Sequence, residues 1–522
     1  MANRPMNVLI LMSDQHRAAT TGCYGESHVA TPHLDGLAAQ GTLFENAYCT
    51  APLCGPSRGS FLTGTHPHTN GSVTHGNSRH RSGKCYRPQL AAGVHGLAGC
   101  LRDAGYRTHA SGYVGVHFYE GERSLASDRD FLGFQTLSAT GADYKRHVGE
   151  KVSRRYSLAG IHGEMWEPSY FNVEGEPFPY GDDKLFDSFV AEDAKRFLQE
   201  HDAAQPFCLY LGFRAVHPPW CAPAAFHSRY DPNDIGPLPD YQSPPPRGKP
   251  RRVIERHHYF DIPHYTEDMV RRSIAGYHAF VSYLDDCIGR VLSQLDDLGL
   301  RDNTLIIYSS DHGENLYRHG LCEKHTFYED AVRVPLIFSM PGVVPEGRRT
   351  ESLASGMDLL PTVLAMAGVE APEFVEGCDL QPAMRGETVH EHVFAEYYHS
   401  LDPCRMVRDQ RYKYIHTEED ICELYDLHHD PEERFNLAWY PQYAELVERM
   451  DQLVMADWEI PELPAYAPWN DLNERKQRQR LQGLDIIDVR PEPPTWVREG
   501  PAPVASQATG SGKESGSTDP LA

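Results

Sequence analysis

The 522-residue chain has no apolar stretch near the roughly 20 residues that a membrane-spanning helix needs, so no membrane partner is expected. Its start runs from Met1 straight into the short apolar run Val8–Met12, which lacks the length and the small-residue cleavage site of a secretory signal. The 12 cysteines include no C-x-x-C pair and fall short of the density of a disulfide scaffold. A reducing, cytoplasmic setting with mostly plain buried thiols is predicted. Positive charge is also scarce: Lys and Arg number 49 against 73 Asp and Glu, for a formal net charge of −24. Such a field repels phosphate backbones, which argues against a nucleic-acid partner and means that an anionic substrate would need a locally positive pocket. No internal repeat is present. What remains is ordinary for a soluble chain with a sizeable core, with 40% hydrophobic and 23% charged residues.

Short apolar runs bounded by polar, Gly or Pro residues predict buried parallel strands at Val8–Met12, Phe207–Gly212, Thr304–Tyr308 and Leu336–Met340, with Thr108–Gly112 a smaller-residue member of the set. Ile274–Leu298 has the three- and four-residue apolar spacing of a helix, with Gly299 as its C-cap. The alternation predicts an α/β fold with a large doubly wound, mostly parallel sheet flanked by helices over residues 1–395. After about Val393 the pattern changes. Met406–Val407, Tyr412–His416 and Glu423–Leu427 read as short antiparallel strands and Pro441–Asp457 as an amphipathic helix, giving a smaller α+β subdomain over 396–480. Residues 481–522 read as a Pro-rich arm and, from Ser506 to Ala522, a Gly/Ser-rich tail predicted to be disordered.

Ligands of open α/β sheets collect beyond the carboxyl ends of strands. Two such ends carry chemistry: Ser13-Asp14-Gln15-His16 and Ser309-Ser310-Asp311-His312-Gly313-Glu314. Asp14 and Asp311 could bring charge, and Gln15 and His312 neutral ligands, to one divalent cation. Taken singly, these aspartates fit loop residues or helix N-caps as well. A third segment is Leu53-Cys54-Gly55-Pro56-Ser57-Arg58. Pro56 suits a first helical turn and places Cys54 at a helix N-terminus, where the dipole and an adjacent cation favour negative charge. A lone cysteine there reads equally well as a buried structural thiol.

Cys54-Gly55-Pro56-Ser57-Arg58 with Leu62-Thr63-Gly64 resembles the sulfatase signature C-x-P-S-R…L-T-G. Ordered matches run along most of the chain: Thr31-Pro32-His33-Leu34-Asp35, Gly105-Tyr106-Arg107-Thr108, Ser310-Asp311-His312-Gly313-Glu314, Arg333-Val334-Pro335-Leu336-Ile337 and Glu423-Leu424-Tyr425-Asp426-Leu427. The chain is identified as a member of the sulfatase branch of the alkaline-phosphatase-like superfamily. The resemblance implies hydrolysis of sulfate esters, with Cys54 oxidised to formylglycine by a formylglycine-generating maturation enzyme. Its hydrate is the implied nucleophile, made acidic by one divalent metal ion. It further implies that Asp14, Gln15, Cys54, Asp311 and His312 surround the metal and that Arg58 holds the anionic diol. Lys324 would bind the sulfate group, and His217 would stand at the leaving oxygen as general acid.

Where relatives often carry a second Asp and an Asn, this chain has Gln15 and His312. Calcium still suits the oxygen-rich set, and the imidazole admits manganese or zinc. Many sulfatases follow Gly-Tyr-Arg-Thr with Gly-Lys-Trp-His; here Gly112 is followed by Tyr113, and His117 is displaced by two residues. Tyr113 and Asp14-Gln15 resemble phosphonate monoester and phosphodiester hydrolases of the same superfamily. With fewer cations, the site would select less strongly for a sulfate head. That leaves phosphonate monoester or phosphodiester hydrolysis as the second reading. A Ser57 nucleophile and a binding-only scaffold are weaker ones. The alcohol part of the substrate, small molecule or sugar, falls to the long loops His66–Gly83, Tyr119–Tyr180 and Pro223–His264. Tyr156, Trp166, Trp220 and Tyr259 there could stack on a ring or simply pack. The basic stretch Glu474–Arg480 and the following arm would suit contact with a second subunit of a homo-oligomer.

Overall fold

A computed structural model describes residues 5–74, 78–79, 85–86, 90, 96–116, 132–149, 175–238, 241, 248–260, 265–398, 403–458, 495–498 and 500. The strands are β1 (Asn7–Ser13), β2 (Thr42–Tyr48), the short pair β3 (Ser78–Arg79) and β4 (Cys85–Tyr86), β5 (Arg107–Gly112), β6 (Thr136–Ser138), β7 (Phe207–Gly212), β8 (Thr304–Ser310), β9 (Leu336–Ser339) and β10 (Arg348–Ser355). Four more follow: β11 (Val393–Tyr397), β12 (Cys404–Arg408), β13 (Tyr412–Thr417) and β14 (Glu423–Asp426). The helices used below are α1 (Pro32–Ala39), α2 (Cys54–Thr63), α3 (Phe186–Gln199), α4 (Arg251–Phe260), α5 (Glu267–Asp297), α6 (Leu359–Ala367) and α7 (Ala444–Met455).

The eight-stranded sheet has the order β10-β2-β9-β8-β1-β7-β5-β6. β1 is central, parallel to β7 on one side and β8 on the other. Its residues alternate between two cores, with Val8, Ile10 and Met12 on one face and Leu9 and Leu11 on the opposite one. Burial of both faces is why the strand is a continuous apolar run and not an alternating one. On one face α2 and α6 pack together, and on the other lie α1, α3 and the long α5. The predicted helix Ile274–Leu298 proves to be the C-terminal part of α5, which starts about two turns earlier where the Thr266 side chain accepts the Met269 N–H.

One strand runs against expectation. Leu336–Met340 was predicted parallel, but β9 is antiparallel to both β8 and β2. An apolar run buried on both faces carries no direction. The connection decides it: between Ser310 and Leu336 the only α-helical segment is Glu329–Val332, too short to carry the chain back across the sheet, so β9 starts at the edge where β8 ends.

The small sheet is an antiparallel meander, β11-β12-β13-β14, covered by α7 through Leu446, Met450 and Val454 on Val407, Tyr414 and Leu424. Its first strand straddles the boundary at 395/396 read from the sequence. Among the described residues no helix is long and apolar enough to cross a membrane. Glu474–Arg480 and Ser506–Ala522 lie outside the described residues, as do Tyr156, Trp166 and the Tyr259 side chain. Trp220 packs. It is 3% exposed, stands edge-on to Tyr277 at 5.2 Å, and donates its ring N–H to Val216 O at 3.0 Å.

Candidate active site

Because β1 and β8 are in register, with Ser13 opposite Ser310, the residues that follow each strand emerge side by side. Asp14 and Asp311 are those residues. One Asp311 carboxylate oxygen, Oδ1, accepts the backbone N–H of Gln15 at 3.0 Å and of His312 at 2.9 Å, so a single carboxylate ties both chain ends together. Gln15 adopts φ 66°, a left-handed conformation that costs a side-chain-bearing residue about 1–2 kcal/mol. It is retained by bonds at every polar atom: Tyr277 Oη donates to its carbonyl at 2.9 Å, its Nε2 donates to Glu314, and its Oε1 accepts Lys324 Nζ at 2.8 Å. The oxygen that could meet a cation therefore faces the site.

Cys54 opens α2 as its sequence predicts, and every residue of that helix is buried. Its Sγ lies 3.1 Å from His312 Nε2, 3.2 Å from Lys324 Nζ and 3.7 Å from Asp14 Oδ1. Ser57 spends its hydroxyl on Asp311 O at 2.5 Å, which removes it as a competing nucleophile. Arg58, fully buried, donates Nε to Asp311 Oδ2 at 2.7 Å, one terminal nitrogen to Tyr113 O at 2.9 Å and Tyr210 Oη at 3.0 Å, and the other to Ser13 O and Asp14. It is a buried charge paired on all sides.

These residues fit a divalent cation. One donor atom each from Asp14, Cys54, Asp311 and His312 lies within 4.8 Å of the others. A calcium ion at about 2.3–2.6 Å from each ligand tolerates donor separations up to about 5 Å. His312 Nδ1 bonds Gly313 O at 2.9 Å, so the proton sits there and the Nε2 lone pair points into the cluster. Burial opposes ionisation of Asp14, yet Arg214, Arg58 and Lys324 outweigh it and hold the carboxyl well below the usual range.

His217 follows β7, 8% exposed, with Nδ1 on Pro218 O at 2.7 Å and Nε2 left for a substrate. Burial, then the charges of Arg214 and Lys324, push its pKa well below the usual value, so it is neutral in the free site. An anion seated between those cations would lift that depression and let it carry a proton. His117 lies outside the described residues.

Three participants were not singled out by sequence reasoning. Arg214 donates NH1 to Asp14 Oδ2 at 2.7 Å and lies over the Tyr113 ring at 4.9 Å, while Arg58 lies over the same ring at 4.7 Å. This corrects the expectation that Tyr113 leaves the site short of a cation: the charge comes from the β7 end instead. Arg214 keeps 12% of its side chain exposed whereas Arg58 keeps none, so it is the guanidinium an incoming anion can reach. Asp187 on α3 holds the loop by accepting the N–H groups of Arg214 at 2.6 Å and Ala215 at 3.0 Å. Glu314, fully buried with its pKa raised to about 7 by burial, orients Gln15. Arg214 stands two residues beyond β7, where the strand-end rule applied to β1 and β8 would have found it.

Comparison with known proteins places this arrangement. Residues 6–369 match the family model described as Sulfatase, and residues 317–458 match that of N-sulphoglucosamine sulphohydrolase, C-terminal. The chain is 30% identical to the choline-sulfatase of Rhizobium meliloti, over 84% of this chain and 83% of the relative. It is 29% identical to the multifunctional alkaline phosphatase superfamily protein PehA of Trinickia caryophylli, over 87% and 95%. Its fold matches the crystal structure of the phosphonate monoester hydrolase of Agrobacterium radiobacter with a TM-score of 0.70 at 23% identity, over 87% of this chain and 95% of that one.

Proposed function

The chain belongs to the sulfatase family and is a sulfuric ester hydrolase, and from that premise we propose that it cleaves sulfate monoesters of small alcohols or sugars with an oxidised Cys54 and one divalent cation. The observation that carries this reading is the meeting of Cys54 Sγ with His312 Nε2 and Lys324 Nζ at 3.1 and 3.2 Å, beside two carboxylates, at the ends of β1 and β8. Asp14, Asp311, His312 and Gln15 Oε1 would hold the cation, which supplies charge to acidify the nucleophile and offset the transferred group. Formylglycine at position 54, made by a formylglycine-generating enzyme, supplies a hydrated aldehyde with two hydroxyls, one to attack and one to release the product.

The chain's own residues do the rest. Arg58 braces both Asp14 and Asp311 against the N-terminus of α2. Lys324 stands next to residue 54 and presents a point charge to the sulfuryl oxygens. Arg214 adds a fork-shaped donor on the other side of Asp14, and His217 Nε2 gives a proton to the departing alkoxide.

Gln15 and Tyr113 favour phosphonate monoester or phosphodiester cleavage at the same site as the second reading. Matched aryl sulfate, phosphonate monoester and phosphodiester substrates decide between them: a higher kcat/KM for the sulfate is expected, and a preference for the diester would replace the first reading. Arg214→Gln should lower kcat/KM for the sulfate by about 10²–10³. The loss should be smaller for the diester, which offers two terminal oxygens against three. Equal losses would remove Arg214 from substrate selection.

Metal content gives a separate check. The purified enzyme should hold about one divalent cation per chain by elemental analysis, with calcium ahead of manganese and zinc. Asp14→Asn should lose both the ion and turnover; an unchanged ion content would take Asp14 out of the ligand set.

A further inference from the structure

A second thiol stands in a cluster of its own, in the small sheet. Tyr414 and His416 are two residues apart on β13 and so share one face. On that face α7 lays Asp451, whose Oδ1 accepts Tyr414 Oη at 2.9 Å and the His416 Nδ1–H at 2.7 Å. Trp458 closes the other side, edge-on to His416 at 5.9 Å. Cys422, half-buried just before β14, completes the group: one residue past the Ile415–Glu423 pair it stands across the strands from His416, packed in the same cluster as Tyr414 and Trp458, with the His416 ring, the Tyr414 hydroxyl and the Thr417 main-chain N–H as its partners. The phenol has one proton to share between Asp451 and the sulfur, so the histidine is the principal donor. We propose that Cys422, with His416 and Asp451, is a second reactive thiol, a modification site for peroxides and other small electrophiles that is separate from the Cys54 cleft.

The groups facing the sulfur are Tyr414 and His416 from β13 and Asp451 from α7, and the preceding turn carries Glu418, Glu419 and Asp420. Burial works against charge on the thiol, but the His416, Tyr414 and Thr417 donors bring its pKa below the ordinary thiol value. Burial likewise opposes charge on His416, and Cys422 with Asp451 raises it to about 9. Each charge thus favours the other, and the pairing shifts the thiol toward thiolate. With hydrogen peroxide the thiolate attacks one oxygen, so that an S–O bond forms as the O–O bond breaks. Sulfur is oxidised to sulfenic acid, the peroxide is reduced, and the leaving hydroxide takes the His416 proton to become water. The neighbouring Glu423 faces the other side of the sheet, where it pairs with Lys249 at 3.3 Å and Arg252 at 3.2 Å at the start of α4.

The chain contains its own controls. Cys23, Cys100 and Cys378 are also half-buried, but burial and nearby carboxylates raise their thiols, Cys23 to about 12. Full-length enzyme would be treated with limiting iodoacetamide at pH 6.5 and labelling followed peptide by peptide. Cys422 is expected to react about tenfold or more faster than each of the three, and His416→Gln to cut its rate about tenfold while leaving theirs unchanged. Asp451→Asn, on the partly exposed face of α7, should slow it in the same direction and covers the case in which the histidine variant fails to fold. Peroxide followed by dimedone should tag Cys422 before the controls. Labelling of Cys422 at the rate of the three controls, or a rate indifferent to both substitutions, would overturn the proposal.

Discussion

Cys54→Ala should lower kcat/KM by about 10⁴-fold or more while leaving a folded protein, because it deletes the proposed nucleophile from a site whose other parts stay in place. The side chain lost is a single sulfur at the start of α2, so the melting temperature should move by only a few degrees, in keeping with about 1 kcal/mol for one buried heavy atom. Cys54→Ser separates nucleophilicity from release. A serine hydroxyl can take the sulfuryl group but has no second hydroxyl with which to expel it, so this variant should accumulate a sulfated residue 54 visible by peptide mass. The same peptide from wild-type protein, made with a formylglycine-generating enzyme, should carry the aldehyde. A fully active preparation containing only unmodified cysteine would sink the proposed role of residue 54.

His217→Ala and Lys324→Ala should divide by leaving group. His217 Nδ1 is held by Pro218 O, which leaves Nε2 for its proposed service, a proton for the departing oxygen. Its removal should cost about 10²–10⁴ for alkyl sulfates, whose alkoxides cannot leave unaided, and less than about tenfold for nitrophenyl sulfates. Lys324 contacts residue 54 and Gln15, and its proposed action is on the transferred group, so its loss should be similar across the series. The readout is the slope of log kcat/KM against leaving-group pKa, steeper than wild type for His217→Ala and parallel to it for Lys324→Ala. Parallel lines for both would mean that the histidine does not protonate the leaving oxygen.

How far the sequence reached can be judged from particular strands and side chains. β7 was legible to the residue, and β1 and β8 within three, because a strand buried on both faces is an unbroken apolar run with polar ends. β2 and β10 were not recognised. Glu45 and Asn46 interrupt the first, and the second is an edge strand opening with Arg348 and Arg349, so neither looks apolar from the sequence alone. The direction of β9 was hidden for the reason that made it visible as a strand: two-sided burial. In the site, strand ends and a helix start marked Asp14, Gln15, Asp311, His312 and Cys54 as candidates, with loop, cap and buried-thiol readings open beside them until the signature resemblance; the structure gathers donor atoms of Asp14, Cys54, Asp311 and His312 within 4.8 Å of one another and sets Gln15 and Cys54 against Lys324. Arg214 escaped because the strand-end rule was applied to β1 and β8 and not to β7; what the sequence does not show is its partner, since it meets Asp14 only because β7 lies next to β1, a pairing of residues about 200 apart.

The central position of β1 sets a timetable for the ribosome. Asn7 and Thr304 bond across the β1–β8 ladder although 297 residues separate them. At roughly 5–20 residues per second, the first strand waits about 15–60 s for that partner to be synthesised. Through that interval the sheet that buries α2 is incomplete, and residue 54, 1% exposed in the finished molecule, would be open to a modifying enzyme. Closing the sheet ends the opportunity. The proposed oxidation of Cys54 would thus compete with chain completion, and slower translation between codons 54 and 304 should raise the fraction of chains that emerge with the modified residue.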